Sequence, residues 1–143
     1  MTNHLEQTLT QARGFEDALD RARIFTQEQL FLIGTRVLTG TLSASETGRA
    51  YTALAEAVIW KMLQATLDDF ASRHGHVADA RFCIVAMGKL GSREMTATSD
   101  LDLMLIYDFE DGAQQSDGAK PLAVSQYFIR LTQRLITALS APT

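Results

Sequence analysis

The chain has 143 residues, 46% of them apolar, and its 13 basic and 17 acidic residues give a net charge of −4. This length suits one domain, or one domain with a helical extension, and the apolar fraction is sufficient for a hydrophobic core. The acidic balance argues against broad electrostatic binding to nucleic acid or anionic membrane, and no apolar run approaches the roughly 18 residues of a membrane span.

The amino terminus and the single cysteine indicate the cellular compartment. The first residues, MTNHLEQTLTQARG, contain neither the basic nor the apolar region of a secretion signal. Cys83 lies in the apolar run FCIVAM, where it has no intramolecular disulfide partner and a buried thiol is expected. A soluble cytoplasmic protein is therefore predicted.

Helical periodicity dominates residues 1–75. Ser43 and Glu46 have the spacing of a capping box and should open a long helix that ends near Gly75. The sequence also predicts an earlier helix that ends before Gly40. Its apolar stripe is formed by Phe15, Leu19, Ala22, Leu30, Ile33 and Val37. Two long antiparallel helices are the simplest consequence.

The pattern becomes extended from Arg81 onward. The runs FCIVAM and LDLMLIY are rich in strand-forming residues and predict two interior strands, joined by a turn that contains Gly88, Gly91 and Ser92. The segment DFEDGAQQSDGAKP predicts an exposed, mobile loop. Pro121 should then open a last helix, whose inward face is formed by Val124, Phe128, Leu131 and Leu135. The order α-α-β-β-α predicts an α+β fold.

Two aspartates, Asp100 and Asp102, stand at the beginning of the second apolar run. Their spacing places them on one face of a strand with Cα atoms ~7 Å apart, so both carboxylates can reach one divalent ion or a pair of ions. Burying unpaired carboxylates is costly, and Mg²⁺ is a cation that binds carboxylates and phosphates while it retains waters. By itself, the D-x-D pattern also fits a charged entry from a loop into a strand.

The turn before the aspartates favours a nucleotide site. Gly91 permits close backbone approach, Ser92 offers a hydroxyl and an N–H group, and the residues after it can start a short helical turn. Lys89, in the same turn, is either a phosphate contact or a solvent-exposed charge. Neither the Walker spacing nor GxGxxG is present, so the turn is a different kind of phosphate motif.

The G-S pair followed by S-D-L-D-L resembles the nucleotidyltransferase signature of the DNA polymerase beta superfamily. More narrowly, VAMGKLGSREMTATSDLDLMLIYD and QYFIRLTQRLITAL resemble the glutamine synthetase adenylyltransferase (adenylyl-removing) family. FLIGTRVLTGTLS and YTALAEAVI resemble the helical segment that precedes a catalytic domain in that family. Family members carry two similar catalytic halves, and GKLGSREMTATSDLDL favours the C-terminal, adenylylating half.

The resemblance implies ATP and Mg²⁺ as cofactors, a tyrosine of glutamine synthetase as AMP acceptor, and a PII signalling protein as regulator. The metal-binding catalytic carboxylates would be Asp100 and Asp102. The nucleotide contacts would be Gly91, Ser92, Lys89 and Ser99. The implied reaction is in-line attack of the tyrosine oxygen on the α-phosphorus of ATP, while phosphorolysis in the other half of the parent enzyme removes the AMP.

Residues 1–75 are accordingly expected to form a helical segment, and residues 76–143 a partial polymerase-beta-like nucleotidyltransferase domain. The family uses a third carboxylate on a later strand, whereas Asp108 would lie roughly 20 Å along the strand from Asp102. Asp111 and Asp117 would sit in the loop. The resemblance therefore predicts a fragment that is truncated before its third catalytic carboxylate and is inactive alone.

Two alternatives stay open at this point. In the first, residues 1–75 form a non-catalytic helical interaction module and the DLD strand is a remnant. In the second, the chain is a small stand-alone nucleotidyltransferase with another acceptor. Magnesium-dependent ATP binding would distinguish an ATP site from an interaction module.

Overall fold

A computed structural model describes residues 1–140 of the chain. The elements are α1 (Thr2–Thr10), α2 (Phe15–Leu38), α3 (Ala44–His74), β1 (Arg81–Ala86), α4 (Gly88–Ser92), β2 (Leu103–Asp108) and α5 (Val124–Ser140). Long helices precede a small sheet, which confirms the predicted α+β class. Helices α1 and α4 are 9 and 5 residues long, shorter than the windows over which helical periodicity is recognised, and the sequence pattern does not predict them.

The chain forms two compact units. The first unit combines Met1–Lys61 with Val85–Met104, and the second combines Met62–Ile84 with residues 105–140. All predicted site residues belong to the first unit. The domain boundary predicted after residue 75 follows the end of α3 at His74 and stays a prediction.

The junction between α2 and α3 has the predicted capping. Gly40 has φ 72, a left-handed conformation that glycine adopts readily after a helix. The Glu46 N–H donates to Ser43 Oγ at 3.2 Å, and the Ser43 N–H donates to Glu46 Oε2 at 2.7 Å, so the capping box is confirmed. The backbone bond from Ser43, followed by its side-chain bond, holds the pKa of the Glu46 carboxyl below its ordinary value.

The core of the first unit draws on three helices and on the segment around α4. Its most buried apolar side chains include Leu5, Phe25, Leu54, Leu90 and Met95. Other apolar side chains of this unit remain on the surface, among them Ile24, Phe31, Leu38 and Trp60. No helix among the described residues is both long enough and apolar enough to cross a membrane.

The second unit is built around an aromatic cluster. The rings of Tyr107 and Phe128 stack with centroids 4.0 Å apart, and the Tyr127 hydroxyl donates to the Gly75 carbonyl at 2.8 Å. Burial, with a smaller effect of the Asp117 charge, raises the pKa of the Tyr127 hydroxyl. The predicted inward face of α5 is confirmed, since its four residues are buried: Val124, Phe128, Leu131 and Leu135.

The predicted exposed loop between β2 and α5 is packed over part of its length. Its Gly118 N–H donates to the His74 carbonyl at 3.1 Å, and its Lys120 N–H donates to the Arg73 carbonyl at 2.9 Å. These bonds satisfy carbonyls at the end of α3 that have no partner within the helix. Helix α5 begins only at Val124, so Pro121 belongs to the loop and does not open the helix as predicted.

The two strands pair as an antiparallel sheet of two strands. The prediction of interior strands is wrong for the described part of the chain, because each strand is an edge and one sheet face is open. Met104 is 46% exposed, Ile106 is 49% exposed, and the Cys83 thiol is also exposed rather than buried. An uninterrupted apolar run predicts that both faces of a strand are buried, but the described residues bury only one face of this sheet.

Candidate nucleotide and metal site

Asp100 and Asp102 lie on the segment that enters β2. The strand begins at Leu103, later than predicted, but the Met87 N–H donates to the Asp102 carbonyl at 2.8 Å and extends the pairing by one residue. Both aspartate side chains are exposed. Neither carboxylate takes part in a hydrogen bond or ion pair with the described residues, so both can bind a cation.

Gly88 is the glycine that lies against Asp102. Its φ is 56, and a Cβ atom built on it would lie 2.5 Å from Asp102 Oδ2. Only glycine satisfies both the left-handed backbone and this close approach. Gly88 is absent from the predicted contact set, because two glycines in one turn do not reveal which of them meets the carboxylate.

Helix α4 changes the expected geometry of the G-S pair. It runs from Gly88 to Ser92. Arg93 caps its carboxyl end in a left-handed conformation, with a φ of 61°. Gly91 and Ser92 therefore lie at the end of a helical turn, and the prediction that a helical turn starts after Ser92 is wrong. A Cβ atom on Gly91 would lie 2.7 Å from the Ala86 carbonyl oxygen, so packing against β1 already requires a glycine there.

The other predicted nucleotide contacts, Ser92, Lys89 and Ser99, differ in how strongly their side chains are hydrogen-bonded within the chain. Ser92 Oγ lies 3.5 Å from the Lys89 carbonyl and 3.4 Å from Glu94 Oε2, which are long, weak hydrogen bonds. The Lys89 side chain is exposed and forms no ion pair with the described residues. Ser99 Oγ accepts the Thr96 N–H at 2.9 Å. The Lys89 ammonium is thus unpaired, the Ser92 hydroxyl is only weakly bonded, and Ser99 holds a turn.

The acidic pair suits a magnesium ion that arrives with a nucleotide. Within residues 1–140, no three His, Cys, Asp or Glu side chains gather closely enough to hold a metal ion. Mg²⁺ usually takes one or two carboxylates and completes its coordination with waters and substrate phosphates. The exposed, unpaired carboxylates of Asp100 and Asp102 match that donor set. Asp117 Oδ1 is engaged elsewhere, because it accepts the His76 N–H at 2.8 Å.

Known proteins match all or nearly all of this chain. The family model of glutamate-ammonia ligase adenylyltransferase covers residues 1–143. Proteins of Brucella suis biovar 1 and Agrobacterium fabrum, each named bifunctional glutamine synthetase adenylyltransferase/adenylyl-removing enzyme, are 52% identical to it over 143 residues. A Rhizobium meliloti protein of that name is 54% identical over 131 residues, 92% of this chain. The chain spans only 13–14% of the length of these relatives. It belongs to the glutamate-ammonia ligase adenylyltransferase family.

Proposed function

We propose that this chain supplies the metal-binding carboxylates and part of the ATP site of an enzyme that transfers AMP from ATP to a tyrosine of glutamine synthetase. One observation carries the proposal: Asp100 and Asp102 are exposed and unpaired, and Gly88 lies directly against Asp102. Family membership supports the reaction class. The proposal includes the adenylylating half, with residues 1–75 as the helical segment and 76–143 as part of the catalytic domain.

The proposed roles follow from the placement of each side chain. Asp100 and Asp102 would hold Mg²⁺ together with the nucleotide phosphates, and the bound ion would offset negative charge at the α-phosphate. Ser92 and Lys89 would donate hydrogen bonds to the triphosphate, and Gly91 lets α4 pack against β1. Ser99 stays in the proposed contact set, and its hydroxyl also holds the turn that leads to Asp100.

Each proposed partner is supported by a different observation. Glutamine synthetase is the proposed protein substrate because the names of the relatives include it. Use of ATP follows from the adenylyltransferase class. Regulation by a PII signalling protein and a cytoplasmic location rest on the family resemblance alone.

The 143-residue chain by itself is proposed to bind Mg-ATP weakly without transferring AMP. Transfer requires the metal ions, the α-phosphorus and the acceptor oxygen to be held in line, and misplacement costs orders of magnitude in rate. The chain spans 14% of the length of the Brucella suis relative. We therefore assign the rest of the catalytic apparatus to other parts of such a protein.

A chimera tests this function. Residues 1–143 would replace the matched segment of the Brucella suis relative, and both AMP transfer from radiolabelled ATP to purified glutamine synthetase and AMP removal would be measured. We expect transfer by the chimera, none by the 143-residue chain, and loss of transfer on Asp102→Asn with AMP removal retained. Asp108→Asn is the matched control, because Asp108 Oδ1 only accepts the adjacent Phe109 N–H.

The alternatives give different outcomes in the same experiment. A non-catalytic interaction module predicts that Asp102→Asn leaves both activities intact. Loss of removal instead of transfer would assign the chain to the deadenylylating half. Transfer by the 143-residue chain alone would support a stand-alone enzyme and overturn the fragment proposal.

A further inference from the structure

Arg93, the residue that follows the G-S pair, has a left-handed backbone that side chains make costly and that glycine usually occupies at the end of a helix. Two backbone bonds close α4 around it. The Arg93 N–H donates to the Leu90 carbonyl at 3.4 Å. The Glu94 N–H donates to the Lys89 carbonyl at 2.9 Å. The position of Ser92 therefore depends on how the chain is held at the two residues after it.

Helix α3 contacts the backbone of these two residues. Gly48 is buried, and a Cβ atom built on it would lie 3.0 Å from the Arg93 carbonyl oxygen and 3.3 Å from Glu94 Cα. The second distance is below the roughly 3.5 Å of a relaxed contact between carbon atoms, so helix and turn already meet backbone to backbone. Glu56 of α3 also forms an ion pair with Arg93 at 3.2 Å. An exposed ion pair contributes little by itself, so the contact at Gly48 is the stronger constraint.

Strand β1 and the core hold the residues on either side of Ser92. A Cβ atom on Gly91 would lie 2.7 Å from the Ala86 carbonyl oxygen, and the side chains of Leu90 and Met95 are buried. The turn that carries Ser92 is thus enclosed by α3, by β1 and by buried side chains of the first compact unit. It has no room to move away from α3 without displacing one of these neighbours.

Building on the proposed function, we infer that Gly48 is a positioning residue for the nucleotide site, because its missing side chain sets how closely the turn with Ser92 packs against α3. Gly48 acts through the backbone of Arg93 and Glu94 and does not itself contact the nucleotide. Strained left-handed residues persist where the surrounding structure holds them, and they concentrate at functional sites. Arg93 fits this pattern, since α3 and the closing bonds of α4 both act on it.

The test compares Gly48→Ala with Gly34→Ala in the chimera. Both substitutions replace a glycine inside a long helix and improve helix propensity, but nothing lies within 4 Å of the Cβ position of Gly34. At Gly48, the new methyl group must push the turn by a few tenths of an ångström. We expect the KM for ATP in AMP transfer to rise about fivefold to tenfold in Gly48→Ala, because small misplacements of substrate-binding groups are costly. Gly34→Ala should leave it unchanged.

The KM distinguishes positioning from a simple loss of stability. A variant that only unfolds more readily contains fewer active molecules, which lowers the apparent kcat and leaves the KM for ATP unchanged. Circular dichroism of the two glycine variants would give the folded fraction independently. A lower kcat with an unchanged KM in Gly48→Ala would therefore overturn the inference.

A second pair of substitutions tests the turn without changing α3, and it decides the matter if Gly48→Ala does not fold. Arg93→Gly and Arg93→Val both remove the guanidinium and its ion pair with Glu56. Glycine adopts a left-handed backbone readily, whereas a β-branched valine does not. We expect a higher KM for ATP in Arg93→Val than in Arg93→Gly, and equal values would contradict a role for the backbone of this turn.

The proposed function is judged separately, since it depends on the loss of AMP transfer in Asp102→Asn. An unchanged KM in Gly48→Ala beside an inactive Asp102→Asn would remove the positioning role and leave the function in place.

Discussion

The contact between Gly88 and Asp102 is the most specific feature of the site at the scale of single residues. The chain reverses direction between β1 and β2, and Gly88 adopts φ 56 at the point where the Asp102 carboxylate meets the backbone. A pair of exposed carboxylates could turn in many directions. The glycine allows Asp102 to lie at the start of α4, next to the turn that is proposed to hold the phosphates.

Replacing this glycine should disturb the aspartate without removing it. In Gly88→Ala, the new methyl group would fall 2.5 Å from Asp102 Oδ2 and the left-handed backbone would be strained. We expect Mg-ATP affinity of the chain to fall by roughly tenfold, the value of one well-placed charged contact. Gly112→Ala is the control, since Gly112 has φ 88 but no atoms within 4 Å of its Cβ position. Equal affinities in the two variants would argue against this positioning role.

At the scale of elements, the two ends of α3 differ in their contacts. The start is fixed by residues close in sequence, whereas the end is contacted by a distant loop. Its start depends on Ser43 and Glu46, which are three residues apart, and the sequence pattern predicts it correctly. Its end coincides with Gly75, also as predicted, but the bonds from Gly118 and Lys120 to the last carbonyls come from a distant loop. Local chemistry predicts where the helix stops, whereas only the fold shows what covers its end.

Gly75 and Gly118 cross so closely that a side chain on either would meet the backbone of the other. Gly75→Ala should therefore lower the free energy of unfolding by about 4 kcal/mol or more, combining backbone strain with a clash that cannot relax easily. Gly40→Ala is the matched control, because Gly40 has φ 72 and open space at its Cβ position. We expect it to cost about 1–2 kcal/mol, for strain alone. Urea unfolding would measure both, and equal costs would contradict the crossing.

The capping box of α3 makes a pH-dependent prediction. Ser43→Ala should lower the stability of the chain by about 1 kcal/mol at neutral pH, because the helix loses its side-chain cap. The Glu46 carboxyl has a pKa below the ordinary 4.5, so its stabilising contribution is present above that pH and is lost as the pH falls through the folded value. The difference between wild type and Ser43→Ala should therefore shrink below pH 4.5. Thermal unfolding across this range would test it, and a difference independent of pH would contradict the contribution of the Ser43 side chain to the lowered pKa of Glu46.

The sequence predicts the helices better than the strands for a physical reason. An apolar stripe such as that of α5 identifies the buried face of a helix directly, because one face is covered and the other is not. The run LMLIY predicts burial on both faces of β2, but whether a second layer covers Met104 and Ile106 depends on distant parts of a protein. The sequence predicts that the turn from Gly88 to Ser92 lies beside the aspartates, but which glycine meets Asp102 depends on backbone angles that spacing does not specify.

At the scale of the whole molecule, α1, α2, the first part of α3 and the acidic entry to β2 belong to one compact unit. Gly48 and Glu56 of α3 contact Arg93, so the helices and the residues after the G-S pair are parts of the same structure. The chain spans 14% of the length of the Brucella suis relative, and one face of its two-stranded sheet is exposed in the described residues.

Equilibrium binding of ATP to the 143-residue chain, measured by calorimetry with and without Mg²⁺, tests the role of the two aspartates most directly. We expect weak binding that requires Mg²⁺, that is lost in both Asp100→Asn and Asp102→Asn, and that persists in Asp108→Asn. Circular dichroism would confirm that the variants keep the helical content of the wild-type chain. Binding that does not need Mg²⁺, or that survives both Asp100→Asn and Asp102→Asn, would contradict the assignment of these carboxylates to a magnesium-nucleotide site.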